Sequence, residues 1–249
     1  MSQSSAKNDF RERLSAPEII SGEIKAIAKE IKTDHDFALE LWDSNDKNSR
    51  LLAVLILDKN QITEALIDTI AADLLEMDLE DRNMISEWLL ANQLTKSKAI
   101  VSLLNSWEHR PSPVMRRLFW YYQARLRWTG NTAHDNTLDL LESIEANIAA
   151  ELPEVQWAMN FTAAQIGIFS PELRSRCIKL GERVGLYQDE PVAKNCTPSY
   201  LPEFIRIQVS KQKIDSNPLE RRSQNVRTAL QAASRLQSRS KYLINTTWL

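Results

Sequence analysis

The sequence predicts an all-α chain arranged as an α-solenoid of antiparallel helix pairs, and three observations carry that prediction. Helix breakers are scarce, with five glycines and nine prolines in 249 residues. Leu, Ala, Ile, Glu, Arg and Lys dominate, and these residues lose little side-chain freedom in a helix. Apolar residues recur at three- and four-residue spacing in helix-length segments joined by two to five polar residues, which is how stacked helix pairs read. No run of alternating β-branched residues argues for a sheet. Segment lengths vary, and no strict internal identity marks the repeat.

Ser15-Ala16-Pro17-Glu18 reads as a helix start, with Ser15 as cap, Pro17 in the first turn and Glu18 as the capping-box carboxylate. The helix then runs to about Ile31 and buries Ile20, Ile24, Ile27, Ala28 and Ile31 along one face. Asp34 is placed to cap a short helix carrying Phe37, Ala38, Leu41 and Trp42, with Trp42 in the core, and Asp43-Ser44-Asn45-Asp46 supplies the turn that ends it. Helices over Lys47–Asp58 and Asn60–Met77 follow. Further helices are predicted over Asp81–Leu94, Lys96–Trp107, Ser112–Trp128, Ala133–Ala150, Pro153–Phe169, Pro171–Val184 and Pro198–Lys211. Pro111, Pro113, Pro153, Pro171 and Pro198 sit at boundaries, where a missing N–H does least harm. Gly130, Gly181 and Gly185 fall near helix ends or tight helix contacts.

A net charge of −2 and a pI near 6.0 do not announce a nucleic-acid binder in bulk, so local patches must carry any such role. Cys177 and Cys196 fit no metal-ligand spacing, and Cys196 in NCTPSY is expected to be a buried structural cysteine beside a turn. His35, His109 and His134 stand isolated and take surface or turn roles. The N-terminus lacks an apolar segment of signal-peptide length, and no stretch approaches about 18 apolar residues in a row. The expectation is a monomeric cytoplasmic protein in a reducing compartment, without a membrane span and without a metal or cofactor. From Asp215 the chain turns basic, with Arg221, Arg222, Arg227, Arg235, Arg239 and Lys241 against Asp215 and Glu220. That tail reads either as a final helix from Pro218 to Arg239 or as a disordered or partner-ordered segment, and in role either as a DNA-contacting arm or as a solvated terminus.

The densest stretch is Asp81–Arg127, which concentrates Trp88, Trp107, Trp120, two tyrosines, Glu87 and the pair Arg116-Arg117. Trp107 and Trp120 are expected to pack between helices. Arg116 and Arg117, clustered with Arg110, Arg125 and Arg127, read as a phosphate-facing patch or as partners of nearby acids such as Glu108.

Several of these segments resemble the DNA alkylation repair proteins, the AlkD-like family of HEAT-like helical-repeat DNA glycosylases. The resemblance is carried by LWDSNDKNSRLLAVLILDK at 41–59, EWLLANQL at 87–94, WEHRPSPVMRRLFWYYQARL at 107–126, and the long piece at 155–205. The last is the most specific, with Trp157, Asn160, Gly167, Pro171-Glu172-Leu173, Gly185, Cys196, Pro198-Ser199-Tyr200 and Ile205 in order. It implies a HEAT-like solenoid domain with a concave face over 16–213, preceded by an N-terminal segment at 1–15 and followed by the basic tail at 214–249. It further implies excision of cationic N3- or N7-alkylated purines from double-stranded DNA. A positively charged base already leaves well, so such a site needs a carboxylate near C1′, aromatic faces on the sugar and basic groups on the phosphates.

Carried over position by position, the resemblance places Glu87 at the catalytic carboxylate, with a glutamate where the family has Asp. Asn83 falls where the family has Trp, one turn earlier. Arg117, with Arg116 beside it, matches the phosphate-gripping arginine. Phe161 falls at a second family tryptophan, and Trp157 lies one turn before it. Three functions stay open: a glycosylase resting on Glu87, a catalytically weakened repeat protein that binds distorted or branched DNA without excision, and a scaffold for a protein partner.

Overall fold

The structure, a computed structural model, describes residues 3–16, 19–130 and 135–212. Among them stand twelve α-helices and three short 3-10 turns, with no strand. The chain divides into two compact units: Met1–Tyr122 with Glu151–Ala158, and Gln123–Ala150 with the described residues from Met159 onward.

The first unit contains α1 (Gln3–Leu14), α2 (Ser21–Ile31), α3 (His35–Trp42), α4 (Lys47–Ile56), α5 (Glu64–Leu75), α6 (Leu79–Asn92) and α7 (Lys98–Leu104). Its centre is α4, which packs on α1, α2, α3 and α6. Leu51, Leu52, Ala53, Val54 and Ile56 are all buried, so from Leu51 onward this helix is apolar on every side, the pattern of a helix surrounded by others. Short polar side chains start the helices by accepting the free N–H groups of the first turn. Asp34 takes Phe37 N–H, Asp46 takes those of Asn48 and Ser49, Thr63 takes Leu66, and Asp78 takes Asp81. Trp42 is in the core as expected, its indole N–H donating to Asp73 Oδ2 at 2.7 Å and its ring facing the Arg50 guanidinium.

Two N-terminal expectations need correction. The helix placed from Ser15 begins instead at Ser21, with Ile20 N–H donating to Glu23 Oε2 at 2.9 Å. The capping carboxylate is therefore Glu23, because it lies three residues beyond the extended Ile20. The segment before it is also helical. α1 is tied down by Lys7 and Arg11 to Glu40 at 2.8 and 2.7 Å and by two bonds of 2.8 Å from Arg13 to Glu30. Lys7 and Arg11 also lie over the Phe37 ring.

α8 (Pro113–Trp128) and α10 (Pro153–Phe169) contribute residues to both units, while α9 (Thr137–Asn147), α11 (Pro171–Val184) and α12 (Leu201–Gln212) belong to the second. α10 and α11 keep the predicted boundaries because proline fixes each start. α11 ends at Gly185 in the left-handed region, φ 69°, where its N–H reaches Gly181 O. α11 and α12 approach so closely at Gly181 that a Cβ there would stand 2.6 Å from Pro202 Cδ. Ile168 and Phe169 form a small core against which Phe204 and Val209 pack.

Cys196 is exposed, contrary to expectation, in a turn closed by its N–H on Ala193 O, because the polar 188–199 segment offers nothing to bury it. Cys177 is buried, and burial pushes its thiol up to about 12. No described helix is long and apolar enough to cross a membrane. His134 and the tail reading from Asp215 lie outside the described residues.

Candidate functional site

The side chains that the sequence singles out meet mainly within the first unit. α6 carries Arg82, Asn83 and Glu87, α8 carries Arg116, Arg117 and Tyr121, and the start of α10 adds Glu154 and Trp157. On α8 the apolar positions Val114, Met115, Leu118 and Phe119 are buried, and Arg117 and Tyr121 share another face because they are one turn apart. Arg117 is itself 3% exposed. So deep a guanidinium needs a counter-charge, and Glu87 supplies it: Arg117 Nη2 donates to Glu87 Oε1 at 2.5 Å. Its cationic centre also lies 5.3 Å from the Trp157 ring and 5.7 Å from that of Tyr121. The two rings stand 6.0 Å apart and tilted by 39°. Each such contact contributes about 0.5–2 kcal/mol, more as water is excluded.

Two further ion pairs brace this cluster. Arg116 is bidentate on Glu151 at 3.0 Å and donates also to the carbonyls of Arg110 and Pro111. Arg82 bonds Glu154 at 3.1 Å, with Glu154 only 7% exposed. Arg110 pairs with Glu64. Arg110, Arg116 and Arg117 are therefore engaged by the protein's own carboxylates, and a phosphate would have to compete for them. Arg117 Nε and Nη1 are buried and have no acceptor, so two donors of that guanidinium stay unused.

Glu87, Arg117 and Trp157 are thus brought together, with Arg116 held beside them by Glu151. Asn83 sits one turn before Glu87, its side-chain oxygen buried and unpartnered, and offers no aromatic face. Phe161 belongs to the second unit, edge-to-face with Phe204 at 6.1 Å. Trp107 and Trp120 are core, at 0% and 1% exposure. Trp88 points to Lys25, whose ammonium lies 4.8 Å from its ring. The sequence reading gave Tyr121 no role of its own; its i, i+4 spacing from Arg117 was the available signal. Among the described residues no group of His, Cys, Asp and Glu could hold a metal ion.

A family model described as DNA alkylation repair enzyme matches residues 6–183. Among solved structures, one comes from "a new family of proteins related to the HEAT-like repeat DNA glycosylases with affinity for branched DNA structures". It matches with a TM-score of 0.62 and 18% identity, over 84% of this chain and 90% of that one. A likeness at that identity shows the fold, a HEAT-like helical repeat. No curated protein matches the chain.

Proposed function

The chain belongs to the DNA alkylation repair enzyme family, and on that footing we infer that it binds double-stranded DNA, branched or otherwise distorted. The cluster of Trp157, Tyr121, Arg117 and Arg116 is its contact surface, and base excision is secondary. The observation that carries this reading is the Arg117–Glu87 bond of 2.5 Å. Hydrolysis of a glycosidic bond to a cationic base needs carboxylate charge available at C1′ as the oxocarbenium ion develops. Glu87 has that charge balanced by a buried guanidinium, and Asn83 gives no aromatic surface beside it. Binding makes smaller demands. The partly exposed Arg116 suits a phosphate oxygen that competes with Glu151, and the Trp157 and Tyr121 faces suit a sugar or base. The structural neighbour's described affinity for branched DNA, a property of that protein, points the same way.

Fluorescence anisotropy on a four-way junction and a linear duplex of equal length, over a salt series, tests this. Tighter binding to the junction is expected, with log K falling linearly in log salt. Arg116→Ala should reduce that slope by about one. Equal affinity for the two DNAs, or a flat salt dependence, would sink the reading.

Excision remains the second reading. It is favoured by the one-third exposure of the Glu87 side chain and by its Oε2, which takes no bond from the described residues. Release of 7-methylguanine from duplex DNA by wild type but not by Glu87→Gln would support it, and equal release would remove Glu87 from any catalytic role.

A further inference from the structure

A cavity of about 170 Å³ opens in the second unit, lined by Trp128, Phe161, Gln165, Ile168, Phe204 and Gln208. It holds about five to six waters at ~30 Å³ each, and it is smaller than the ~300 Å³ at which pockets for drug-sized ligands begin. One small ring system fits that scale. Its lining comes from α8, α10 and α12 and includes the buried Ile168, which the core contact with Phe204 and Val209 holds in place.

The lining narrows the ligand further. Three aromatic side chains surround the space, with Phe161 and Phe204 at an interplanar angle of 84°, so a flat ligand stacked on one ring meets the edge of the other. Trp128 lines the cavity and is 53% exposed, which is unusual for a residue so expensive to leave in water. The polar lining is two primary amides and no charge. Gln165 is only 5% exposed, and each primary amide carries both a donor and an acceptor, so the site favours a ligand that offers the same pair.

A neutral planar ring with donors and acceptors on its edge, set against an exposed aromatic, describes an unpaired nucleobase. We propose that this cavity takes one extruded or unpaired base of a distorted DNA, stacked between Trp128 and the Phe161–Phe204 pair and bonded on its edge by Gln165 and Gln208. The proposal rests on the DNA-binding reading above and names what distortion the protein recognises: a base free to leave the helix.

The test uses the full chain and three fluorescent duplexes: fully paired, with a single bulged adenosine, and with an abasic residue in the same bulge. The bulged adenosine should bind roughly tenfold tighter than the abasic bulge, the order that one base–aromatic stack contributes. Gln165→Leu and Trp128→Ala should remove that preference while leaving affinity for the paired duplex unchanged. Trp128 is exposed enough for its truncation to leave the fold intact. Equal binding of adenosine and abasic bulges by wild type overturns the proposal. So does a loss on mutation that is the same for all three duplexes. Saturation by free adenosine at the same concentrations would assign the cavity to a free nucleoside and overturn its assignment to DNA. Binding to none of the duplexes would instead remove the DNA-binding reading itself.

Discussion

Arg117 and Arg127 lie ten residues apart on α8, each in a different unit, and at 3% and 2% exposure they are buried alike. The chain neutralises them by opposite means. Arg117 is given a carboxylate and two aromatic faces, but Nε and Nη1 remain without acceptors. Arg127 has no carboxylate in reach among the described residues. Instead its Nη1 donates to Gln123 O at 3.0 Å, and its Nη2 donates to Thr137 Oγ1 at 2.8 Å and Asn136 Oδ1 at 3.3 Å. Burial pushes the Arg127 guanidinium down to about 10, still protonated near neutrality. One site balances its buried charge with a carboxylate and two aromatic faces; the other spreads an unbalanced charge over neutral oxygens, as a structural strut does.

The largest expected effect comes from breaking the first arrangement. Glu87→Gln strands the Arg117 charge and should cost about 2–3 kcal/mol, below the ~3–5 for a wholly buried pair because Glu87 is a third exposed. Urea unfolding reads this directly. Replacing both partners with Met should recover most of the loss, and no recovery would mean the pair does more than satisfy its own burial. Next comes the neutral cradle. Thr137→Val removes the shortest Arg127 acceptor at 2.8 Å and should cost about 1.5–2 kcal/mol in the same assay. A neutral result would show that Asn136 and the Gln123 carbonyl suffice.

Smaller still is Glu151→Gln beside Arg116. There two backbone carbonyls remain as acceptors and both side chains reach solvent, so about 0.5–1 kcal/mol is expected. The smallest effect is an acid-side one. Hydrogen bonds from Arg176 hold the Glu145 carboxyl below its usual 4.5. A carboxylate lowered in the folded state adds stability that is present above pH 4.5 and lost as pH falls through its depressed value. Glu145→Gln should therefore bring the wild-type and variant urea midpoints together as pH drops from 5 towards 3, and a constant gap would refute the assignment.

Much of the fold was legible. Caps at Asp34 and prolines at Pro153 and Pro171 fix helix ends through local chemistry that a sequence displays. α1 was not legible, because QSSAKNDFRERL has a thin apolar face and its anchors, Glu30 and Glu40, are distant in sequence. The candidate site divides in the same way. Residue types at Glu87, Arg117 and Trp157 stand out in the sequence, but their pairing spans 30 positions for Glu87–Arg117 and depends on helix packing. The cavity around Phe161 was hidden for another reason: Gln165 and Gln208 lie on different helices, and each looks like an ordinary solvated position until the helices are packed.

The seat of α1 has a consequence for anyone measuring this protein. Its anchoring pairs, Lys7 and Arg11 on Glu40 and Arg13 on Glu30, leave their side chains 26% to 50% exposed, where ions reach them freely. The screening length shrinks from about 30 Å at 0.01 M salt to about 8 Å at 0.15 M. The first helix is thus an ionic-strength gauge: as salt rises its clamps weaken, and trypsin gains access to Arg11 and Arg13. A salt series meant to count phosphate contacts also loosens the amino-terminal helix, so the slope belongs to DNA alone only over the range in which limited proteolysis leaves α1 uncut.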